Sequence, residues 1–264
     1  MPYQRISGNE LFYSAHESEH PLTLVCIHGA GGEHAIWPRG LGDLEHCDTC
    51  MLDLPGHGNS AGQPRTSVED YADDVSAFIE ARGFRRVVLL GHSMGGAIAL
   101  TLGLRHPPWL DAIAIACTGS QLRVPRSITR QLRTAPEVAI EQLCRSSFSP
   151  EARLSLVERE MQRQQDVPTE VFLADYQACD DFDITAELHR ITQPPLILSG
   201  DLDHHTPLKY AQFLEDRLPN GRLAVFAPAG HMLPLEQPTD MIRCVSDFIA
   251  SRTGPLLPSG NRAE

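Results

Sequence analysis

The sequence predicts an α/β fold, a mostly parallel central sheet flanked by helices, on three observations. Apolar runs of strand length alternate with helix-length amphipathic stretches over most of the 264 residues, as when strands are joined by crossover helices. Most of these runs end in loops rich in Gly, His, Asp or Ser. Open α/β sheets gather their binding and reacting groups at such strand ends. The length suits one large domain, since a single core serves up to about 250 to 300 residues, and a hydrophobic share of 42% can fill it.

Residues 3–6 and 10–14, separated by Ser7-Gly8-Asn9, read as a hairpin at the sheet's edge. Strands are then expected at residues 22–27, 49–52, 87–90, 112–116, 196–199 and 223–226. Between Ala116 and Leu196 strand signals lapse and helix starts replace them. Ser149-Pro150-Glu151 combines an N-cap, a first-turn proline and an acid at the positive end of a helix dipole. Ala135-Pro136-Glu137 and Val167-Pro168-Thr169-Glu170 have proline and acid similarly placed. After Ser149, Leu154, Val157 and Met161 recur at helical steps and form one apolar stripe. The expected organisation is a core of residues 1–120 and 191–253, with a helical cap of residues 121–190 inserted over the sheet's carboxyl edge. A Gly/Pro/Ser-rich flexible tail is expected at 254–264.

Charge narrows the partners. With 22 Lys plus Arg against 34 Asp plus Glu, the net charge is −12. An acidic surface repels phosphate backbones, so no nucleic acid and no membrane is expected as a partner. The opening MPYQRISGNELFY lacks the apolar core of a signal peptide, and no stretch reads as a transmembrane helix, so a cytoplasmic protein is the expectation. The seven cysteines are read as reduced, buried thiols. Cys47-x-x-Cys50 leads into MLDL instead of opening a helix, and no second Cys or His pair stands at ligand spacing, so neither a redox motif nor a zinc site is expected there.

The sharpest chemical signal is VVLLGHSMGGAIAL, where Gly91-His92-Ser93-Met94-Gly95 follows an apolar strand and opens a helix. A nucleophile on a tight strand-to-helix turn needs small flanking residues, because Cβ atoms at Gly91 and Gly95 would strike neighbouring elements. A serine hydroxyl is a poor nucleophile until a base takes its proton. His231, just after the late strand LAVFAPA, is best placed to do so. The imidazole in turn needs a carboxylate to fix its tautomer, and Asp201 and Asp203 both follow the strand PLILSG. Chain order admits either, and turn chemistry would explain both. An oxyanion needs backbone donors. His28-Gly29-Ala30-Gly31-Gly32 offers the Ala30 amide, with Met94 as second donor, and Gly31 is the alternative if the loop winds one step further. This glycine-rich loop lacks the Gly-x-Gly-x-x-Gly and Lys-Ser/Thr patterns of nucleotide binders.

Five ordered motifs, HGAGG at 28–32, DLPGHGNS at 53–60, GHSMGG at 91–96, GDLDHHTP at 200–207 and AGHMLPLEQP at 229–238, make the chain resemble the α/β-hydrolase superfamily. The likeness is to its small capped carboxylesterases and meta-cleavage-product hydrolases. The resemblance implies the α/β-hydrolase fold and a serine esterase using Ser93, Asp203 and His231. It favours Asp203 over Asp201 because the acid of this family usually stands three residues after the glycine of that turn. It also implies a small ester-like substrate and no metal or organic cofactor. Ser93 stands where dehalogenases and epoxide hydrolases carry Asp, which disfavours those chemistries. Met232 stands where carbon-carbon hydrolases usually carry Trp, which weakens that alternative without removing it. A ligand receptor of the same fold is a third alternative. His204-His205 is not expected to hold a metal, because Asp203 would then be unavailable to His231. His57 is expected to shape its loop. Trp37, Leu143, Phe148, Met161, Phe172 and Tyr176 are candidates to line a pocket or simply to pack. The motifs leave acyl length, alcohol and oligomeric state open.

Overall fold

The computed structural model describes residues 2–6 and 8–252, so the tail expected at 254–264 lies outside the described residues. Its strands are β1 (Tyr3–Ile6), β2 (Asn9–His16), β3 (Thr23–Ile27), β4 (Asp48–Leu52), β5 (Val87–His92), β6 (Leu110–Ala116), β7 (Pro195–Gly200) and β8 (Arg222–Phe226). The helices are α1 (Val68–Arg82), α2 (Met94–Arg105), α3 (Arg126–Thr134), α4 (Pro136–Ser147), α5 (Leu154–Gln165), α6 (Thr169–Asp181), α7 (Leu208–Arg217), α8 (Leu233–Glu236) and α9 (Pro238–Arg252). The strands make one sheet in the order β1-β2-β4-β3-β5-β6-β7-β8. β2 pairs antiparallel with β1 and with β4, and every other pairing is parallel. Each expected strand is present, with ends displaced by a residue or two at most.

Alternation along the inner strands fills a core on both faces. β3 sends Val25 and Ile27 to one side and Leu24 and Cys26 to the other, and β5 divides Val87 and Leu89 from Val88 and Leu90 in the same way. Residues of α1, α2 and α7 cover the first side, and α9 covers the second. The cysteines are all free, and all but Cys244 are buried. Burial pushes the Cys47 thiol up to about 11, which leaves it unreactive. Among the described residues, no helix is long and apolar enough to cross a membrane.

Between β6 and β7 the chain runs through α3, α4, α5 and α6. The two arms of this excursion meet at its base, where Gln121 and Asp183 form an antiparallel bridge and the Ile184 amide donates to the Ser120 carbonyl at 2.9 Å. Leu132, Ile140, Leu143 and Phe172 give these helices a small apolar centre of their own. Cys144, Phe148 and Val157 pack against Met232, just beyond β8.

Helix starts at Pro136 and Thr169 follow the proline signals, but the one at Ser149 does not. Ser149-Pro150-Glu151 makes a turn, with the Ala152 amide donating to the Ser149 carbonyl at 3.1 Å, and α5 begins only at Leu154. The Ser149 amide is taken by the Glu236 carboxylate instead. Leu154 is 63% exposed, so the buried stripe starts at Val157.

Candidate active site

Ser93 sits between β5 and α2 with φ 53° and ψ −115°. A non-glycine residue in that region carries strain on the order of 1–3 kcal/mol, which the surroundings must impose. They do so through the backbone. The Ser93 amide donates to the Ala116 carbonyl at 2.9 Å, and its own carbonyl accepts from the Gly96 amide and the Thr118 hydroxyl. The turn closes only because its flanks lack side chains. A Cβ on Gly91 would lie 2.1 Å from the Gly95 carbonyl oxygen, and one on Gly95 would lie 2.1 Å from that of Ile27. The Ser93 hydroxyl caps no helix amide.

His231 follows β8 and precedes α8. Its Nδ1 is 2.8 Å from Asp203 Oδ2. Asp203 lies in the turn after β7 and is 4% exposed. Its Oδ1 accepts from the amides of His205 and Thr206, and its Oδ2 from the Thr206 hydroxyl as well. Burial alone would raise the Asp203 carboxyl, but the charge of His231 and these hydrogen bonds outweigh it and hold the acid ionised, well below the usual carboxylate range. Asp201 does not reach the imidazole; its Oδ1 accepts from the Ala229 amide at 3.0 Å, which is turn chemistry. With Asp203 on Nδ1, the ring's Nε2 is the nitrogen left for a reacting proton. Ser93 and His231 line one cavity without a hydrogen bond between them, and such bonds often tighten only when substrate is bound.

The loop carrying His231 is fixed from three sides. His92 donates through Nε2 to the His231 carbonyl at 2.8 Å. The His205 ring stacks on the imidazole at 5.1 Å. Glu236 accepts from the Gly230 amide with one oxygen and from the Ser149 amide with the other, both at 2.9 Å, so one carboxylate ties the loop to the inserted helices. Burial and the charge of His231 push His92 down to about 3.

After β3, the His28–Gly32 loop lies against Ser93, since a Cβ on Gly29 would come within 3.0 Å of Ser93 Cβ. Among the described residues, no protein group accepts from the amide of Ala30 or of Met94. The next amide, Gly31, donates to Asp175 Oδ2 on α6 at 2.8 Å. Asp175 has no exposed surface and also accepts from the Tyr71 hydroxyl at 2.6 Å and from His57 Nε2 at 2.8 Å. The sequence reading missed Asp175. The available signal was an acid on the apolar stripe that Phe172 and Cys179 define along α6.

The cavity above Ser93 has a volume of about 100 Å³. Leu143, Phe172 and Tyr176 line it, whereas Trp37, Phe148 and Met161 do not. At one side α5 contributes Glu160, Arg163 and Gln164, with Arg163 paired to Glu160 and lying 3.6 Å from Glu33. Among the described residues, His92, Cys117 and His231 bring ligand-type atoms within 4.8 Å of one another. One nitrogen of each imidazole is held by the protein, His92 Nε2 by the His231 carbonyl and His231 Nδ1 by Asp203. His205 Nε2 is bonded to the Ser146 hydroxyl at 2.9 Å.

Comparison with known proteins agrees with this architecture. The model of a family described as the alpha/beta hydrolase family matches residues 24–243. The chain is similar to a pimeloyl-[acyl-carrier protein] methyl ester esterase of Vibrio vulnificus, 28% identical over 85% of this chain and 93% of that protein. It is similar to 3-oxoadipate enol-lactonase 1 of Acinetobacter baylyi, 23% identical over 92% of this chain and 94% of that one. Among solved structures, Est816, an N-acyl homoserine lactone degrading enzyme, superposes with a TM-score of 0.85 at 25% identity, covering 94% of this chain and all of that one.

Proposed function

The chain belongs to the alpha/beta hydrolase family, and from that premise we propose that it is a serine hydrolase that cleaves a small carboxylic ester or lactone through an acyl-enzyme. The observation that carries the reading is the 2.8 Å bond from His231 Nδ1 to the buried Asp203 carboxylate, beside a cavity that also holds Ser93 on its strained turn. Ester and lactone relatives support the substrate class.

Ser93 Oγ attacks the carbonyl carbon as His231 Nε2 takes the hydroxyl proton. The carbonyl oxygen, now an anion, is held by the amides of Ala30 and Met94. Collapse expels the alcohol oxygen, which receives the proton from His231. Water then attacks the acyl-enzyme with the same imidazole as base and releases the acid and Ser93. Asp203 stays ionised and stabilises the imidazolium in both halves. The helices between β6 and β7 act as a cap, closing the cavity from above with Leu143 and Phe172.

A fluorophosphonate probe should add covalently to Ser93, read as a mass increase on the peptide that contains it. Labelling that persists in Ser93→Ala would falsify the assignment. A panel of p-nitrophenyl esters of graded acyl length, run beside lactones of matched size, then defines the acyl group.

A further inference from the structure

The Gly31 amide cannot serve a carboxylate and an oxyanion together, because one N–H makes one strong hydrogen bond. At 2.8 Å from Asp175 Oδ2 it is committed. The carboxylate that holds it is an unusual tenant of its site. Asp175 lies on the buried side of α6 with no exposed surface, and charge is costly there unless it is compensated. The compensation comes from His57. The Nδ1 of this ring faces the Pro55 carbonyl at 3.0 Å and its Nε2 faces Asp175 at 2.8 Å. Two acceptors require two donated protons, so the ring is an imidazolium and the pair is a buried ion pair. Burial alone would lower His57, yet the charge and hydrogen bond of Asp175 raise it above the ordinary histidine value. Breaking such a pair is costly, but having one adds little over well-packed apolar residues. Its geometry is the more informative property.

Phe172, one turn earlier on α6, supplies the second observation. Gly31 has φ 61°, and a Cβ there would lie 2.2 Å from Phe172 Cε1. One helix face therefore grips Gly31 twice, by a hydrogen bond to its amide and by a ring against its α-carbon. The neighbouring Ala30, whose amide has no protein acceptor among the described residues, lines the cavity with Ser93.

We propose that Asp175 is a positioning residue for the oxyanion site: by holding the Gly31 amide it fixes the loop so that Ala30, not Gly31, donates to the reacting oxygen. This rests on the serine hydrolase reading above. It makes the inserted helices part of the chemistry, because α6 sets which amide meets the substrate.

The test uses the full chain and an alkylboronic acid, which adds to a nucleophilic serine as a tetrahedral anion. In isotope-labelled protein, the Ala30 and Met94 amide protons should move downfield on boronate addition while Gly31 stays in place. Ser93→Ala should abolish these shifts. A downfield shift at Gly31 with Ala30 unmoved overturns the proposal. Failure of the boronate to form any adduct at Ser93 overturns the underlying hydrolase reading and the proposal with it. In kinetics on a short p-nitrophenyl ester, Asp175→Ala should lower kcat about tenfold or more with KM within about twofold, as loss of oxyanion donation does. Its boronate inhibition constant should rise by the same factor. Asp175→Asn keeps one acceptor oxygen and should recover part of the loss. A folded Asp175→Ala enzyme with kcat within about twofold of the original shows a purely structural role. If that variant does not fold, the resonance measurement on the unsubstituted protein decides.

Discussion

His28 donates through Nδ1 to the Gly29 carbonyl at 2.8 Å and accepts at Nε2 from the Leu54 amide at 3.1 Å, so its bonds specify a neutral ring. His57, 4.8 Å away, has bonds that specify the charged one. Adjacent imidazoles thus hold opposite states because their partners differ, one facing an N–H and the other a carboxylate. The same logic separates Asp203 from Asp201, two residues apart. Asp203→Asn should cut kcat by about four orders of magnitude, since the amide cannot fix the required tautomer. Asp201→Asn keeps an oxygen for the Ala229 amide and should leave kcat within a fewfold of the original. Steady-state rates on one ester compare the two, and a reversal of their order would reassign the acid. Ser93, His231 and the carboxylate after PLILSG could all be read from local motifs. Asp175 could not, because its three partners, Gly31, His57 and Tyr71, lie more than a hundred residues earlier in the chain.

Strands were legible because period-two alternation and apolar runs are local properties, and each inner strand follows them. The inserted helices were less so. α3 buries only Leu132, and a single buried side chain leaves no helical period to detect. At Ser149 a start signal was present, but the segment turns once before α5 begins at Leu154, and the Ser149 amide donates to Glu236 far along the chain. The turn at Ser93 leaves the least tolerance. Gly95→Ala would drive a Cβ against backbone oxygens of both Ile27 and His28, which cannot move without displacing β3. We expect a loss of more than about 3 kcal/mol, seen as a fall in urea midpoint or as insoluble protein. Gly83→Ala, by contrast, meets no atom within 4 Å and should cost only the strain of its positive φ.

Acid should unfold the molecule earlier than carboxylate protonation alone would require. His28 and His92 are buried, and burial, reinforced by neighbouring histidine charge, pushes both down to about 3. Between that value and the ordinary value near 6.5, the unfolded chain binds these two protons and the native one does not. Burial also pushes His205 down to about 4, so stability falls as pH falls through this window with a slope approaching about three protons above that value and about two below it. The Asp203 contribution is present above the ordinary carboxylate value and is lost only as pH drops through its lower native one. His57 acts in the opposite sense: its contribution is complete below the ordinary histidine value and fades as pH rises through its higher native value. Urea unfolding followed by tryptophan fluorescence at pH 7, 6 and 5 checks the sign, and a free energy that holds level across that range would contradict it.

The meeting of the two arms at Gln121 and Asp183 has an evolutionary consequence. A block whose ends touch can be exchanged as a cassette, leaving the strand register on either side untouched, so substrate range can diversify without redesigning the scaffold. Asp175 sets a limit on that freedom. Any transplanted cassette must supply a fresh acceptor for Gly31, or the recipient inherits a new pocket above a misaligned reaction centre.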